Sequence, residues 1–374
     1  MTAAGPLLAF TSVVRHAAVG ERSGKVGVID LESRRVVSHA WVPESEHRAH
    51  DPNPRGGVRG ARGLAARDGR LVVANSDRLL VFDDRWKLVA ELTHPWLGGI
   101  HDIDLDPDGI WVACANADLV VKVGWGGEVL DSWSWRSDRR LVEALGFRRV
   151  PAFRPDLDYR DPRTLQGGAH NVVHLNGVAR AKGAMLLSFG RVLPARELAR
   201  RRLKAVAGRA AARLGAVRRE RASSARVPVS AIEGSAFAVV ELPDDRSSAA
   251  SLLLLERPVA VPNHNVLRRG RDLVYNDSNS DRVVVWDVEA RRARLAVAVP
   301  GDPAFARGLA RLDDDRYVVG SQRPAAVHVV DLEAGRLIET IEVGEDPREA
   351  VYGICVVPES FGPPPPALSF ELSV

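Results

Sequence analysis

Cysteine, lysine and long apolar runs are what this chain is short of. Its two cysteines, Cys114 and Cys355, fall in separate predicted strands. That excludes a disulfide framework and a cysteine metal site, and leaves each as a small buried thiol. No apolar run approaches the roughly 20 residues that cross a bilayer as a helix. Residues 1–10 lack a basic start, a long apolar stretch and a small-residue cleavage site, so no secretory signal is read and a cytoplasmic protein is expected. Lys25, Lys87, Lys122, Lys182 and Lys204 are the only lysines among 52 basic residues, and 48 acids bring the net charge to +4. The arginine bias reflects coding composition more than choice of partner, and no nucleic-acid binding is expected.

What is present is a repeat. The tripeptides Arg62-Gly63-Leu64, His101-Asp102-Ile103, Asn176-Gly177-Val178, His264-Asn265-Val266, Arg307-Gly308-Leu309 and Tyr352-Gly353-Ile354 open six similar units. The spacing is 39 residues from Arg62 to His101, 43 from His264 to Arg307 and 45 from Arg307 to Tyr352, close to the roughly 40–50 residues of a propeller blade. Each unit reads as a first strand, a tight turn, a second apolar strand, a polar corner, and third and fourth strands. The corner recurs as "ANSDRLLVFD", "ANADLVVKVG", "NDSNSDRVVVWD" and "SQRPAAVHVVD". The expectation is an all-β, six-bladed β-propeller, a single domain over 1–374. Residues 7–14, 25–31 and 35–42 supply only three strands, and the strand beginning at Tyr352 completes their blade, which closes the ring and removes open edges.

Two longer gaps hold insertions, 134–170 and 191–234, read as lids. The first, with "VPAFRPDLDYRDPRTLQGG", is irregular; the second interrupts the third blade. Within 192–222, Leu203, Val206, Ala210, Leu214 and Val217 share one face of a helix, opposite several arginines. A basic helix of this kind can lie on an anionic membrane, but its apolar face is alanine-rich and weak, so a lid packed over the rim is preferred to membrane contact or disorder. Strand direction puts both insertions, and the 43–61 loop with His47 and His50, on the rim where the first strands begin.

First strands line the channel of a propeller, so Arg62, His101, Asn176, with His174 two residues before it, His264, Arg307 and Tyr352 face one another at its mouth. Such a ring reads as a site for a small anionic or aromatic substrate. Two mechanisms fit. In one, a neutral imidazole is nucleophile or general base and arginines neutralise a transferring oxyanion. In the other, His101, His174 and His264 hold a divalent transition metal for a lyase, hydrolase or oxygenase reaction. A non-catalytic propeller that binds a ligand or a protein is the third reading. Asp102 and Asn265 could orient the imidazoles next to them, and His170 could join the site. His16, His39, His94 and His328 are read as ordinary surface or strand residues.

His101 in "HDID", His174 and Asn176 in "HLNGV", Arg191 after "LLSFG" and His264 in "HNV" resemble the PAPS-independent arylsulfate sulfotransferases, which are six-bladed propellers. The resemblance implies that His264 is the nucleophile that carries the sulfuryl group, that His101, His174, Asn176 and Arg191 bind its oxygens, and that no cofactor is needed. The chain departs from that family in lacking the secretory signal and the extra N-terminal domain of its periplasmic members, and in carrying the basic helix.

Overall fold

The computed structural model describes residues 6–51, 59–165, 170–201, 203, 207, 234–245, 247–259 and 261–372. Six four-stranded antiparallel sheets form the blades of a β-propeller. Alternation of apolar residues makes the strands, and the turns fix their register. At Asp68-Gly69 both residues take positive φ, 49° and 72°, as a two-residue hairpin requires, and Arg67 pairs with Arg70 across it.

The first strands of blades 1 to 5 are Leu64–Arg67, Ile100–Asp106, Leu175–Ala181, His264–Arg269 and Arg307–Arg311. Blade 6 joins Glu349–Val356 to Leu7–Val14, Gly24–Asp30 and Arg35–Trp41, the closure expected from the sequence. Leu8 pairs with Val356 and Val14 with Glu349.

Middle strands such as Gly109–Cys114 are buried throughout, whereas fourth strands such as Arg336–Glu342 alternate exposed residues with partly buried ones. The apolar core is six clusters, one between each pair of neighbouring blades. Trp111 of blade 2 meets Leu187 of blade 3 in one, and Phe10 of blade 6 meets Val318 of blade 5 in another. Each blade therefore buries its faces only against its neighbours.

The channel-facing edge of the first strands has no further strand to pair with, and side chains of the neighbouring blade or, in blade 6, of the same blade take up its N–H groups. Val178 and Arg180 donate to Asp102 and Asp104 at 3.4 and 2.6 Å. Gly308 donates to Asn265 at 2.9 Å and Gly353 to Thr11 at 2.9 Å. Below the mouth these strands enclose a cavity of about 240 Å³.

The first insertion is more ordered than its sequence suggested. It holds a short helix, Arg139–Ala144, capped by the Asp138 side chain, and a 3₁₀ turn, Pro162–Leu165, which touches the rim turn Glu46–His50. The second insertion opens with helical residues 195–201, whose Leu198 is buried in the core between blades 2 and 3. Leu203, expected on the packed face, is 71% exposed. Val206, Ala210, Leu214 and Val217 lie outside the described residues, as do 52–58 and 166–169. No described helix is long and apolar enough to cross a membrane.

Candidate functional site

Five of the six repeat positions, Arg62, His101, His264, Arg307 and Tyr352, meet at the mouth of the channel, and Asn176 turns away from it. The His101 ring lies 4.8 Å from that of His174, 6.4 Å from that of His264 and 6.0 Å from that of Tyr352. The Arg62 guanidinium approaches His101 Nε2 at 3.4 Å and sits 5.5 Å from the Tyr352 ring. Arg307 stacks on Tyr352 at 4.0 Å.

Local backbone features aim these side chains. In blades 2 to 5 the first strand skips a residue in its pairing at or beside the repeat position, between Ile100 and Asp102, Leu175 and Gly177, His264 and Val266, and Arg307 and Leu309. Such bulges re-aim side chains. His174 adopts φ 51° just before its strand, and the carboxylate of Asp118 holds it there by accepting from the N–H groups of Val172, Val173 and Leu175. Asp281 does the equivalent in blade 4, accepting from Phe305 N–H at 2.6 Å two residues before Arg307.

The bulge also accounts for Asn176. Its side chain faces the blade interface, donating to the Asn263 carbonyl at 2.7 Å and accepting from Ser188 at 3.0 Å. Asp102 and Asn265 do not orient imidazoles. They bond to one another at 3.2 Å and line the cavity beneath, where burial pushes the Asp102 carboxyl up to about 8. His170 packs edge-on against Tyr159, and His47 lies beside Glu46 at the rim. His328 is buried between Thr340 and Ser321, a satisfied strand histidine.

Electrostatically the mouth favours an anion. Burial holds the imidazoles of His101, His174 and His264 well below their ordinary range, and the guanidiniums Arg62, Arg307, Arg191 and Arg15 and the neighbouring imidazoles push them the same way. All three rings are therefore neutral at pH 7. Burial draws Arg307 down to about 9 and Arg191 to about 10, and both keep their charge. Burial would raise the Tyr352 hydroxyl, but Arg307, Arg62 and Arg15 together bring it to about 8. Several buried polar atoms have no hydrogen-bond partner among the described residues: His101 Nδ1, His264 Nε2, Arg191 Nε, and Arg307 Nε and Nη1. Such atoms are costly to bury unless water or a ligand meets them. The same three histidines are the candidate metal ligands. Among the described residues no group of three or more His, Cys, Asp or Glu is arranged to hold a metal ion, and surrounding guanidiniums repel a cation.

Three contributors escaped the sequence reading. Arg15 directly follows the strand Leu7–Val14 and lies 5.2 Å from the Phe305 ring. Phe305, at φ 49°, is edge-on to His264 at 5.7 Å and under Arg307 at 4.4 Å. Ser278, in the polar corner of blade 4, lies 2.9 Å from His264 Nδ1. None sits at the repeat offset. The repeated corner was the one signal pointing to Ser278.

No protein-family model and no curated protein sequence matches the chain. Among solved structures it is similar to a protein of unknown function from Bacteroides caccae, with 12% identity, a TM-score of 0.54 and coverage of 94% of this chain and 99% of that one. A chain of a nidogen/laminin complex gives 10% identity, a TM-score of 0.54 and coverage of 95% and 99%. At these identities the likeness shows the fold alone.

Proposed function

We propose that the mouth binds a small oxyanion and transfers it through His264, with sulfuryl transfer from an aryl sulfate to a phenol as the favoured chemistry. The observation that supports this most is the pairing of neutral, enclosed imidazoles with guanidiniums. His264 Nε2 has no partner among the described residues, and Arg307, Arg62 and Arg191 supply positive charge without a carboxylate among the groups acting on the rings.

In the forward half-reaction the His264 Nε2 lone pair attacks sulfur, an N–S bond forms, and the S–O bond to the aryl group breaks. The departing aryloxide keeps the electron pair and takes the proton of Tyr352. In the second half the acceptor hydroxyl attacks sulfur, the N–S bond breaks, and the acceptor's proton returns to the Tyr352 phenolate. Arginine charge offsets that on the sulfuryl oxygens throughout.

The test is incubation with 4-nitrophenyl sulfate and a phenol, following nitrophenolate release and the intact mass of the protein. Turnover, a mass gain of one sulfuryl group mapped to His264, and a loss of roughly a thousandfold in kcat for His264→Ala support the reading. Tight sulfate binding with neither adduct nor turnover would make the mouth a binding site only. A stoichiometric transition metal lost in His101→Ala and His264→Ala variants would move the chemistry to the metal.

A further inference from the structure

We infer that Ser278 is a positioning residue that fixes which nitrogen of His264 carries the proton, and so presents the Nε2 lone pair to the mouth; the inference rests on the transfer role proposed for His264. Ser278 Oγ lies 2.6 Å from the Ala306 carbonyl and 2.9 Å from His264 Nδ1. A carbonyl only accepts, so the single hydroxyl proton of Ser278 goes to Ala306. The hydroxyl then meets His264 with a lone pair, and Nδ1 must be the donor. In a neutral imidazole the other nitrogen is then bare.

The arrangement is enclosed and over-determined. Ser278 and His264 are both 3% exposed, so water does not compete for the bond. The segment Phe305-Ala306-Arg307 supplies three parts at once: the ring edge-on to His264, the carbonyl that orients the hydroxyl, and the guanidinium beside the site. Asp281 holds that segment through Phe305 N–H. His101 provides a contrast. Its Nε2 faces the donor-only guanidinium of Arg62 at 3.4 Å, so its Nδ1 bears the proton, and that N–H has no partner among the described residues. One imidazole thus offers a lone pair to sulfur and its neighbour a hydrogen-bond donor to a sulfuryl oxygen.

The experiment uses the full chain labelled with ¹⁵N-histidine, with His264 assigned by its loss in His264→Gln. Long-range ¹H–¹⁵N correlation reads the tautomer in wild type, Ser278→Ala and Ser278→Thr, alongside kcat and KM for 4-nitrophenyl sulfate. His264 protonated at Nδ1 in wild type is the expected result. Ser278→Ala should show Nε2–H signal and a kcat lowered by about tenfold or more with KM changed less than about threefold, and Ser278→Thr should restore both. Nε2–H in wild type, or a Ser278→Ala spectrum with the wild-type tautomer, overturns the assignment. A wild-type protein with the expected tautomer, altered in Ser278→Ala, but no transfer from the sulfate ester, upholds Ser278 and removes the proposed reaction instead.

Discussion

Tyr352 shows how much a neighbourhood of guanidiniums does to one side chain. Burial raises the hydroxyls of Tyr159, Tyr275 and Tyr317 above their ordinary value, whereas Arg307, Arg62 and Arg15 overcome burial at Tyr352 and bring it to about 8. Ultraviolet titration at a wavelength specific to tyrosinate should therefore show one of the four tyrosines ionising near pH 8, a step missing in Tyr352→Phe. Deprotonation adds a negative charge to the mouth, so sulfate affinity, read by calorimetry, should fall as pH rises through that step. At this scale the sequence revealed those side chains that share the repeat offset, Arg62, His101, His264, Arg307 and Tyr352, together with His174 close by. It could not reveal side-chain direction where the backbone departs from regular pairing. Asn176 holds an expected position and turns to Asn263 and Ser188 at the bulge, and Phe305 reaches the site from a backbone at positive φ, which no periodicity marks.

Among the elements, the corner between second and third strands does more than turn the chain. Asp118, at such a corner, accepts from three backbone N–H groups at the entry to the next blade and pairs with Arg136 of the first insertion at 3.2 Å. Removing it would leave three donors unmet and take the counter-charge from a buried guanidinium that otherwise donates to the Ala117, Asp118 and His170 carbonyls. Asp118→Ala should cost roughly 3–5 kcal/mol of stability in chemical denaturation, while Asp118→Asn, which retains an acceptor, should cost less. The sequence revealed strand order and the recurrence of the polar corner, since both are local patterns. It missed the short helix at Arg139–Ala144, whose apolar residues Leu141 and Val142 are too few to set a period yet are buried in the core between blade 2, just before the helix, and blade 3, whose strands reach a hundred residues beyond it.

For the whole molecule, the decisive pairing is between the ends of the described chain, Leu7–Val14 with Glu349–Val356. A chain truncated after Arg348 loses that strand and Tyr352, and bares an edge of the next strand. It should elute as higher oligomers in size exclusion with light scattering, where the full chain gives one species, because an unpaired edge templates association. This closure was legible from the three-strand count at the N-terminus, an argument needing no structural knowledge beyond the blade plan.

A further consequence concerns manufacture on the ribosome. Leu7–Val14 must wait while more than three hundred residues are translated before its mate at Glu349–Val356 exists, on the order of twenty seconds to a minute at roughly 5–20 residues per second. During that interval the nascent polypeptide carries a half-dressed strand, and the imidazoles of the mouth come under a closed ring only once Glu349–Val356 has been made and the sixth sheet locks.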